Sequence, residues 1–350
     1  MRIFSVVGAR PQFIKLAPLS SALTGLHQEF IIHTGQHYDY SMSEKIFQDL
    51  AIRKPDIHLE VGSGTQAEQT GNMMIGLEKV MAEKKPDIVI VFGDTNSTLA
   101  GAIAAAKLNI PIIHIEAGLR SYNKNMPEEI NRIATDHISK YLFAPTQTAI
   151  DILKTEGLQK AAYLTGDIMV DTMKNNIEVA LKKSTAIRDL ELLNTEYNLL
   201  TLHRNYNVDS ATVLENILGQ LGELEEKIIF PVHPRTRKMI SASFCFPENI
   251  VAIEPQGYLD FITLENFAKR IITDSGGIQK EAYILGKPCI TLRTETEWVE
   301  TVEEKWNLLI NPSGADIVSK IVSFQVPAQR KEVFGKNVTT QMVKIINSIN

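Results

Sequence analysis

Ile271-Ile272-Thr273-Asp274-Ser275-Gly276-Gly277 runs directly into Ile278-Gln279-Lys280-Glu281. A short apolar run ends in hydroxyls, a carboxylate and two glycines, and a helical pattern begins. The spacing predicts a buried strand, a tight turn and a helix. Free backbone N–H groups and the helix dipole then converge on one spot, which is an anion site in waiting. Glycine at Gly276 and Gly277 lets a phosphate approach without a Cβ in the way, and Ser275 adds a hydroxyl. Glu281 stands about one turn further on, placed to accept hydrogen bonds from vicinal hydroxyls such as those of a ribose. Taken alone, Ser-Gly-Gly is equally well a plain tight turn.

The same unit repeats outward in both directions. Upstream, Ile3–Val7, Phe30–Thr34, Ile88–Phe92, Ile112–Glu116 and Tyr141–Ala144 are short runs rich in Ile, Val, Leu and Phe, as in strands buried on both faces. Helical patterns at Ile14–Leu23, Met42–Leu50, Thr65–Met81, Thr98–Lys107 and Glu128–Ser139 separate them. The pattern weakens across Val179–Asn194 and restarts with Tyr197–Leu202, Ile228–Val232, Ile250–Ile253, Ile271–Thr273 and Pro288–Leu292. Helices are expected at Ala211–Leu224, Leu259–Ala268, Gly277–Leu285 and Ala315–Ser323. Such alternation implies α/β architecture with doubly wound parallel sheets. We read two Rossmann-like domains, 1–182 and 183–336. The last stretch, 337–350, reads as a helix with the first domain as its candidate partner. Ligands of open α/β sheets bind beyond the carboxyl ends of the strands, so two such domains facing each other would share a cleft.

Composition sets the outer limits. The chain has 350 residues, 44% hydrophobic and 22% charged, enough for sizeable cores. Its 36 Lys and Arg against 41 Asp and Glu give a net charge of −5, which argues against a nucleic-acid partner. No run approaches the about 20 apolar residues of a membrane span, and the apolar start at Met1–Val7 is too short for a signal core. A cytoplasmic globular protein is expected. Cys245 and Cys289 fit neither a metal knuckle nor a disulfide framework, and Cys289 reads as structural in its apolar strand.

Polar residues gather just after the strands. Gly8-Ala9-Arg10-Pro11-Gln12 opens the first helix, with Arg10 a candidate phosphate partner and Lys15 just beyond. The G-x-G-x-x-G spacing of a dinucleotide site is absent. Three acids follow strands in the first domain: Asp94, Glu116 and Glu128. Asp94 has an alternative as a helix N-cap and Glu128 as a first-turn charge after Pro127. Glu116 ends an apolar strand and needs a polar partner, for which Arg120 or Arg132 is available. Singly, each acid reads as structural; as three acids on strand-end loops they read as acid/base catalysts. In the second domain His203 and His233 each follow a strand, where a histidine can meet a leaving phosphate or shuttle a proton. Function is favoured for His203 and left open for His233. His27 and His58 lack context and read as surface residues. No His/Cys/Asp spacing suggests a zinc site.

Read together and in order, Gly8-Ala9-Arg10-Pro11, Gly93-Asp94-Thr95, His114-Ile115-Glu116-Ala117-Gly118-Leu119-Arg120, Pro127-Glu128-Glu129-Ile130-Asn131-Arg132, His203-Arg204 and Thr273-Asp274-Ser275-Gly276-Gly277 closely resemble the non-hydrolysing UDP-N-acetylglucosamine 2-epimerase family. The likeness runs to about Gly286-Lys287-Pro288. It implies the two-domain fold of B-type glycosyltransferases, a homodimer, a UDP-sugar substrate and no cofactor, neither nicotinamide nor obligatory metal. It implies epimerisation at C2 of a UDP-2-acetamido sugar, UDP-N-acetylglucosamine to its manno epimer, supplying surface polysaccharide precursors.

By the same resemblance Asp94, Glu116, Glu128 and His203 match essential catalytic residues, and Arg132 an arginine near the acids. Arg10, His203 and Ser275-Gly276-Gly277 match diphosphate contacts, and Glu281 the ribose ligand. Pro255-Gln256-Gly257-Tyr258 resembles the uracil-binding segment, acting through backbone groups at Tyr258. The chain departs from the family after Arg293, where Thr296-Glu297-Trp298-Val299-Glu300 replaces the usual Thr-Glu-Arg-Pro-Glu. With Ser121-Tyr122-Asn123, this variant resembles relatives that epimerise UDP-2,3-diacetamido-2,3-dideoxyglucuronate. Gln36-His37 is kept from a segment lining a regulatory substrate site in relatives, whereas Tyr38-Asp39 differ there. Competing readings are a B-type glycosyltransferase, a hydrolysing epimerase and a nucleotide-sugar sensor without turnover.

Overall fold

The computed structural model describes residues 1–36, 47–240 and 244–349. His37, Tyr38, Asp39 and the first part of the Met42–Leu50 helix lie outside the described residues. The chain divides into two compact units, Met1–Thr172 with Glu332–Asn350, and Met173–Lys331. The sequence reading set the change of domain at 182/183. In the structure the chain passes from one unit to the other inside a continuous helix, Met169–Lys183.

In the first unit, β1 (Arg2–Val7), β2 (Gln28–His33), β3 (Ile57–His58), β4 (Ile88–Phe92), β5 (Ile112–Ile115), β6 (Tyr141–Ala144) and β7 (Ala162–Leu164) form one sheet. Its order is β3-β2-β1-β4-β5-β6-β7, and every pairing is parallel. The central strands are largely apolar because helices cover both faces; β4 is apolar and buried at every residue. Val6, Val89 and Val91 pack with Ala100, Ala104 and Leu77 from α3 (Asn96–Lys107) and α2 (Gln66–Lys84). On α3 the small residues Ala100 and Gly101 let the helix lie close on the sheet; a Cβ at Gly101 would stand 3.1 Å from Val91. The remaining helices are α1 (Arg10–Leu23), α4 (Pro127–Ile138), α5 (Gln147–Thr155) and α6 (Met169–Lys183). The C-terminal helix Val338–Ser348 returns to this unit: it packs on α1, and the Thr339 N–H donates to Asp171 at 2.7 Å.

The second unit is built alike. Strands β8 (Tyr197–Thr201), β9 (Lys227–Pro231), β10 (Ile250–Ile253), β11 (Arg270–Thr273), β12 (Cys289–Thr291) and β13 (Asn307–Leu309) run in the order β10-β9-β8-β11-β12-β13, again all parallel. After α7 (Ala186–Asp189), its helices are α8 (Asn205–Val208), α9 (Ala211–Leu221), α10 (Pro234–Met239), α11 (Tyr258–Phe267), α12 (Gly276–Leu285), α13 (Val299–Glu303) and α14 (Ile317–Ser323). One face of the sheet carries Leu200, Phe230 and Ile272 against Leu214, Leu218 and Ile321. The other carries Leu199, Ile229 and Ile271 against Leu264 and Ala282.

The two doubly wound parallel sheets expected from the alternation are therefore present. Strands β3, β7 and β13 were not expected. All three are sheet edges of two or three residues, too short and too exposed to make an apolar run.

Candidate active site

In each sheet the strand order reverses direction at one place, and a crevice for ligands opens beyond the strand ends there. In the first unit that switch lies between β1 and β4, in the second between β8 and β11. The polar loops singled out by sequence leave those strands or their neighbours.

The first unit's loops are stapled by Gln12, which is 1% exposed. Its Oε1 accepts from the N–H groups of Gly8 (2.8 Å) and Ala9 (3.1 Å). Its Nε2 donates to the Phe92 carbonyl and the Thr98 hydroxyl, both at 3.0 Å. One amide thus joins the β1 turn, the end of β4 and the start of α3. Arg10 is the first residue of α1 and is half-buried. Lys15, one turn on, is buried and forms an ion pair with Glu116. Sequence reasoning offered Arg120 or Arg132 to Glu116; the ion pair the structure shows is with Lys15. Arg132 pairs with Asp94, and Arg120 with Asp136 and Glu156. Lys15 reaches Glu116 because Gly93 has no side chain: a Cβ there would lie 3.1 Å from the Lys15 amine. Glu116 itself has φ +74°, a left-handed conformation that a non-glycine residue adopts at a cost and that turns its side chain out of strand register.

Asp94 is not a helix cap. That role falls to Thr95, whose hydroxyl accepts from the Thr98 N–H. Asp94 is instead held by Arg132 through its carboxylate and by the Asn131 amide through its carbonyl, at 2.9 Å. Arg132 is fixed in turn by Glu129, at 2.9 Å. Glu129 is 1% exposed and also accepts from the N–H groups of Ser121 and Tyr122, at 2.9 and 2.8 Å. Glu128 sits in the first turn of α4, half-buried, with no hydrogen bond or ion pair among the described residues. Asp94, Glu116, Lys15 and Arg132 are thus joined in two cation–acid pairs, whereas Glu128 stands apart from them in bonding.

In the second unit, Asp274 is fully buried just beyond β11 and gathers the β8 loop around itself. Its carboxylate accepts from the N–H groups of His203 (3.0 Å) and Arg204 (3.0 Å) and from the Asn207 amide (3.1 Å). Nδ1 of His203 lies 2.9 Å away, and the ring is 46% exposed. Burial pushes the Asp274 carboxyl up, but the hydrogen bond and charge of His203, helped by the Arg204 N–H and Asn207, hold it below the usual aspartate value. With Nδ1 engaged, Nε2 is the nitrogen left for a ligand. Ser275 is the N-cap of α12, and its side chain makes no capping bond. Gly276 lies against Glu297: a Cβ there would come within 2.1 Å of its carboxylate oxygen. Arg293 is 2% exposed and pairs with Glu297 at 3.1 Å, while its Nε and Nη1 make no hydrogen bond among the described residues. A buried guanidinium with unspent donors stands beside the free N-terminus of α12. That is a strong anion-binding arrangement.

Glu281 is half-buried a turn into α12. Tyr258 is buried, 4% exposed, with its hydroxyl against Asn176 and Met173. His233 is exposed, and Cys289 is buried with its thiol pushed up to about 12 by burial. His58 is not a free surface residue as expected; its ring stacks on His33 with centroids 4.2 Å apart. Gln12, Glu129, Asn131 and Asp274 were missed as organisers. Asp274 had the signal already used for Glu116, a carboxylate ending an apolar strand; Gln12 had none beyond its place in the first turn of α1.

The sequence model of the UDP-N-acetylglucosamine 2-epimerase family matches residues 24–349. A UDP-N-acetylglucosamine 2-epimerase homolog of Methanococcus maripaludis is 48% identical over 357 residues, spanning 100% of both chains. The UDP-2,3-diacetamido-2,3-dideoxy-D-glucuronate 2-epimerase of Pseudomonas aeruginosa is 45% identical over 327 residues, 91% of this chain and 90% of that one. The crystal structure of Methanocaldococcus jannaschii UDP-GlcNAc 2-epimerase in complex with UDP-GlcNAc and UDP superposes with a TM-score of 0.90 at 41% identity, covering 100% of each chain. Two parallel sheets of the glycosyltransferase-B type, with anion-binding and acidic strand-end loops, define an enzyme of nucleotide-sugar chemistry. The chain belongs to the UDP-N-acetylglucosamine 2-epimerase family. It is an isomerase, and no helix among its described residues is long and apolar enough to cross a membrane.

Proposed function

We propose that the chain inverts C2 of UDP-N-acetylglucosamine by elimination and re-addition of UDP. C2 of this sugar has no adjacent carbonyl to acidify its proton. The C1–O bond therefore breaks first, and its electron pair leaves with the diphosphate. Positive charge grows at C1, and a carboxylate removes the C2 proton, whose bonding pair becomes the C1–C2 double bond of a 2-acetamidoglucal. A proton then returns to the opposite face of C2 while a β-phosphate oxygen re-forms the bond to C1. Nothing is consumed, as an isomerisation requires.

The roles follow residue by residue. Departure of a diphosphate needs fixed donors where negative charge accumulates. His203 through Nε2, the α12 N-terminus with Ser275, Gly276 and Gly277, Arg293, and Arg10 are assigned to it. Glu281 is assigned to the ribose and the Tyr258 backbone to the uracil. Proton transfer at two faces of C2 needs two acid/base groups, drawn from Asp94, Glu116 and Glu128. Lys15 and Arg132 hold the first two in place. The observation that carries this reading is the Asp274–His203–Arg293 arrangement, which supplies donors for a diphosphate. A homodimer is the assembly proposed, on the family resemblance.

The second reading, UDP-2,3-diacetamido-2,3-dideoxyglucuronate as substrate, is favoured by Trp298 in the loop after β12 and by the 45% identity to the enzyme so named. Incubation of each UDP-sugar in deuterated water, followed by proton NMR, tests both. Interconverting UDP-sugars with deuterium at C2 are expected. Free sugar and UDP would instead mean hydrolysis. Turnover of the diacetamido-uronate alone would move the assignment to the second substrate.

A further inference from the structure

His114 has no solvent exposure, lies on β5 and touches none of the groups assigned to the substrate. Its Nδ1 stands 2.6 Å from Asp136 Oδ1, and its Nε2 stands 2.7 Å from the Gly93 carbonyl oxygen. The carbonyl can only accept. Asp136 is equally unexposed; burial pushes its carboxyl up, but the charges and hydrogen bonds of His114 and Arg120 together hold it below the usual aspartate value. The ring is thus held at both nitrogens, by a side chain of α4 on one side and by the β4 turn on the other.

Asp136 continues the link into an unbroken chain. Asp136 Oδ2 accepts from the Gly118 N–H at 3.0 Å and from Arg120 Nη1 at 2.7 Å. Arg120 grips Glu156 with Nε at 2.8 Å and Nη2 at 2.6 Å, and His137 lies 3.9 Å from the same carboxylate. The chain has two outputs. Through His114 it fixes the Gly93 carbonyl, the peptide that leads into Asp94. Through Gly118 it fixes the loop that begins at Glu116.

We propose that His114 and Asp136 are positioning residues for the epimerisation, His114 as the buried link that sets Asp94 and Asp136 as the brace that also sets Glu116. The proposal rests on the reading of Asp94 and Glu116 as the groups that handle protons at C2. Near-attack geometry is lost with displacements of about 1 Å, which cost on the order of a hundredfold in rate. Neither residue bears on the diphosphate, so the loss falls on kcat alone.

The test uses the full chain with His114→Gln and Asp136→Asn. In each folded variant kcat is expected to fall about a hundredfold, while the Kd for UDP stays within about threefold of the parent. A residue that merely supports the fold would lower the unfolding temperature and leave kcat per folded molecule unchanged, which would overturn the proposal. Should either variant not fold, His114→Asn and Asp136→Glu are read in the same way: a loss of kcat with UDP binding kept supports the assignment, and parental kcat in both refutes it. Asp94→Asn runs in parallel. If it keeps full turnover, the reading of the acids fails; if it is inactive while His114→Gln retains parental kcat, only the positioning role fails.

Discussion

Oδ1 of Asp274, fully buried at the end of β11, lies 2.9 Å from Nδ1 of His203. The carboxylate fixes which imidazole nitrogen points at a ligand. Asp274→Asn offers Nδ1 a poorer acceptor and lets the ring turn, so UDP affinity is expected to fall about tenfold by calorimetry, equivalent to about 1.4 kcal/mol. The stability effect depends on pH. The Asp274 carboxyl titrates lower in the folded chain than in the unfolded one, so its contribution is complete above the ordinary aspartate value of 3.8 and fades as pH falls further. Denaturant unfolding of parent and variant should therefore differ at pH 7 and converge below that value.

The two acids paired with cations make a second prediction. Asp94→Asn and Glu116→Gln are expected to lower kcat by about 10²–10⁴, the usual weight of a general acid or base, with UDP binding near the parental level. Glu128→Gln should behave alike in rate. Loss of deuterium exchange at C2 alongside loss of epimerisation is the measurement that ties the effect to the proton step.

Lys15 and Glu116 are buried together, with side chains 8% and 11% exposed. Removing one partner strands the other's charge. Lys15→Met is expected to cost about 3 kcal/mol of stability in urea unfolding, and Lys15→Met with Glu116→Gln to cost clearly less. A simple sum of the two single effects would count against a coupled pair.

The two glycines that start α12 should separate cleanly. Gly277 has open space around it, the nearest neighbour of a Cβ being Ser275 Oγ at 3.9 Å. Gly277→Ala is expected to stabilise the chain by about 0.5 kcal/mol through the unfolded state, yet to weaken UDP binding by obstructing the phosphate. Gly276→Ala drives a methyl into Glu297 and should lose both stability and binding.

Burial lowers the His58 pKa, against the weaker opposing pull of Glu60. The unfolded chain then takes up a proton near 6.5 more readily than the folded one. Parent stability should decline as pH drops below that value, and the decline should be shallower in His58→Gln, read as the unfolding midpoint between pH 7 and 5.

Much of this was legible in the chain itself. Runs such as Ile88–Phe92 and Ile228–Val232 announced interior strands because strands buried on both faces are rich in apolar residues. The loops carrying Asp94, Glu116, His203 and Ser275 followed from where those strands stop. Pairings did not. Nothing in the spacing of Lys15 and Glu116, a hundred positions apart, says that Gly93 leaves room for them to meet. Asp136 and Glu129 carry no mark in the sequence, since the pattern that marks a buried face treats every carboxylate as a surface residue. The edge strands β3, β7 and β13 escaped because an edge needs neither length nor two apolar faces.

Gln12 spends its amide completely: two lone-pair sites on two N–H groups, two hydrogens on a carbonyl and a hydroxyl. Position 12 consequently has no chemical synonym. Glutamate brings no donors, asparagine falls one methylene short, and histidine has too few hydrogens. A library randomised at that codon and selected for turnover would return a single letter, in a turn that a surface-loop view of evolution would have called free to drift.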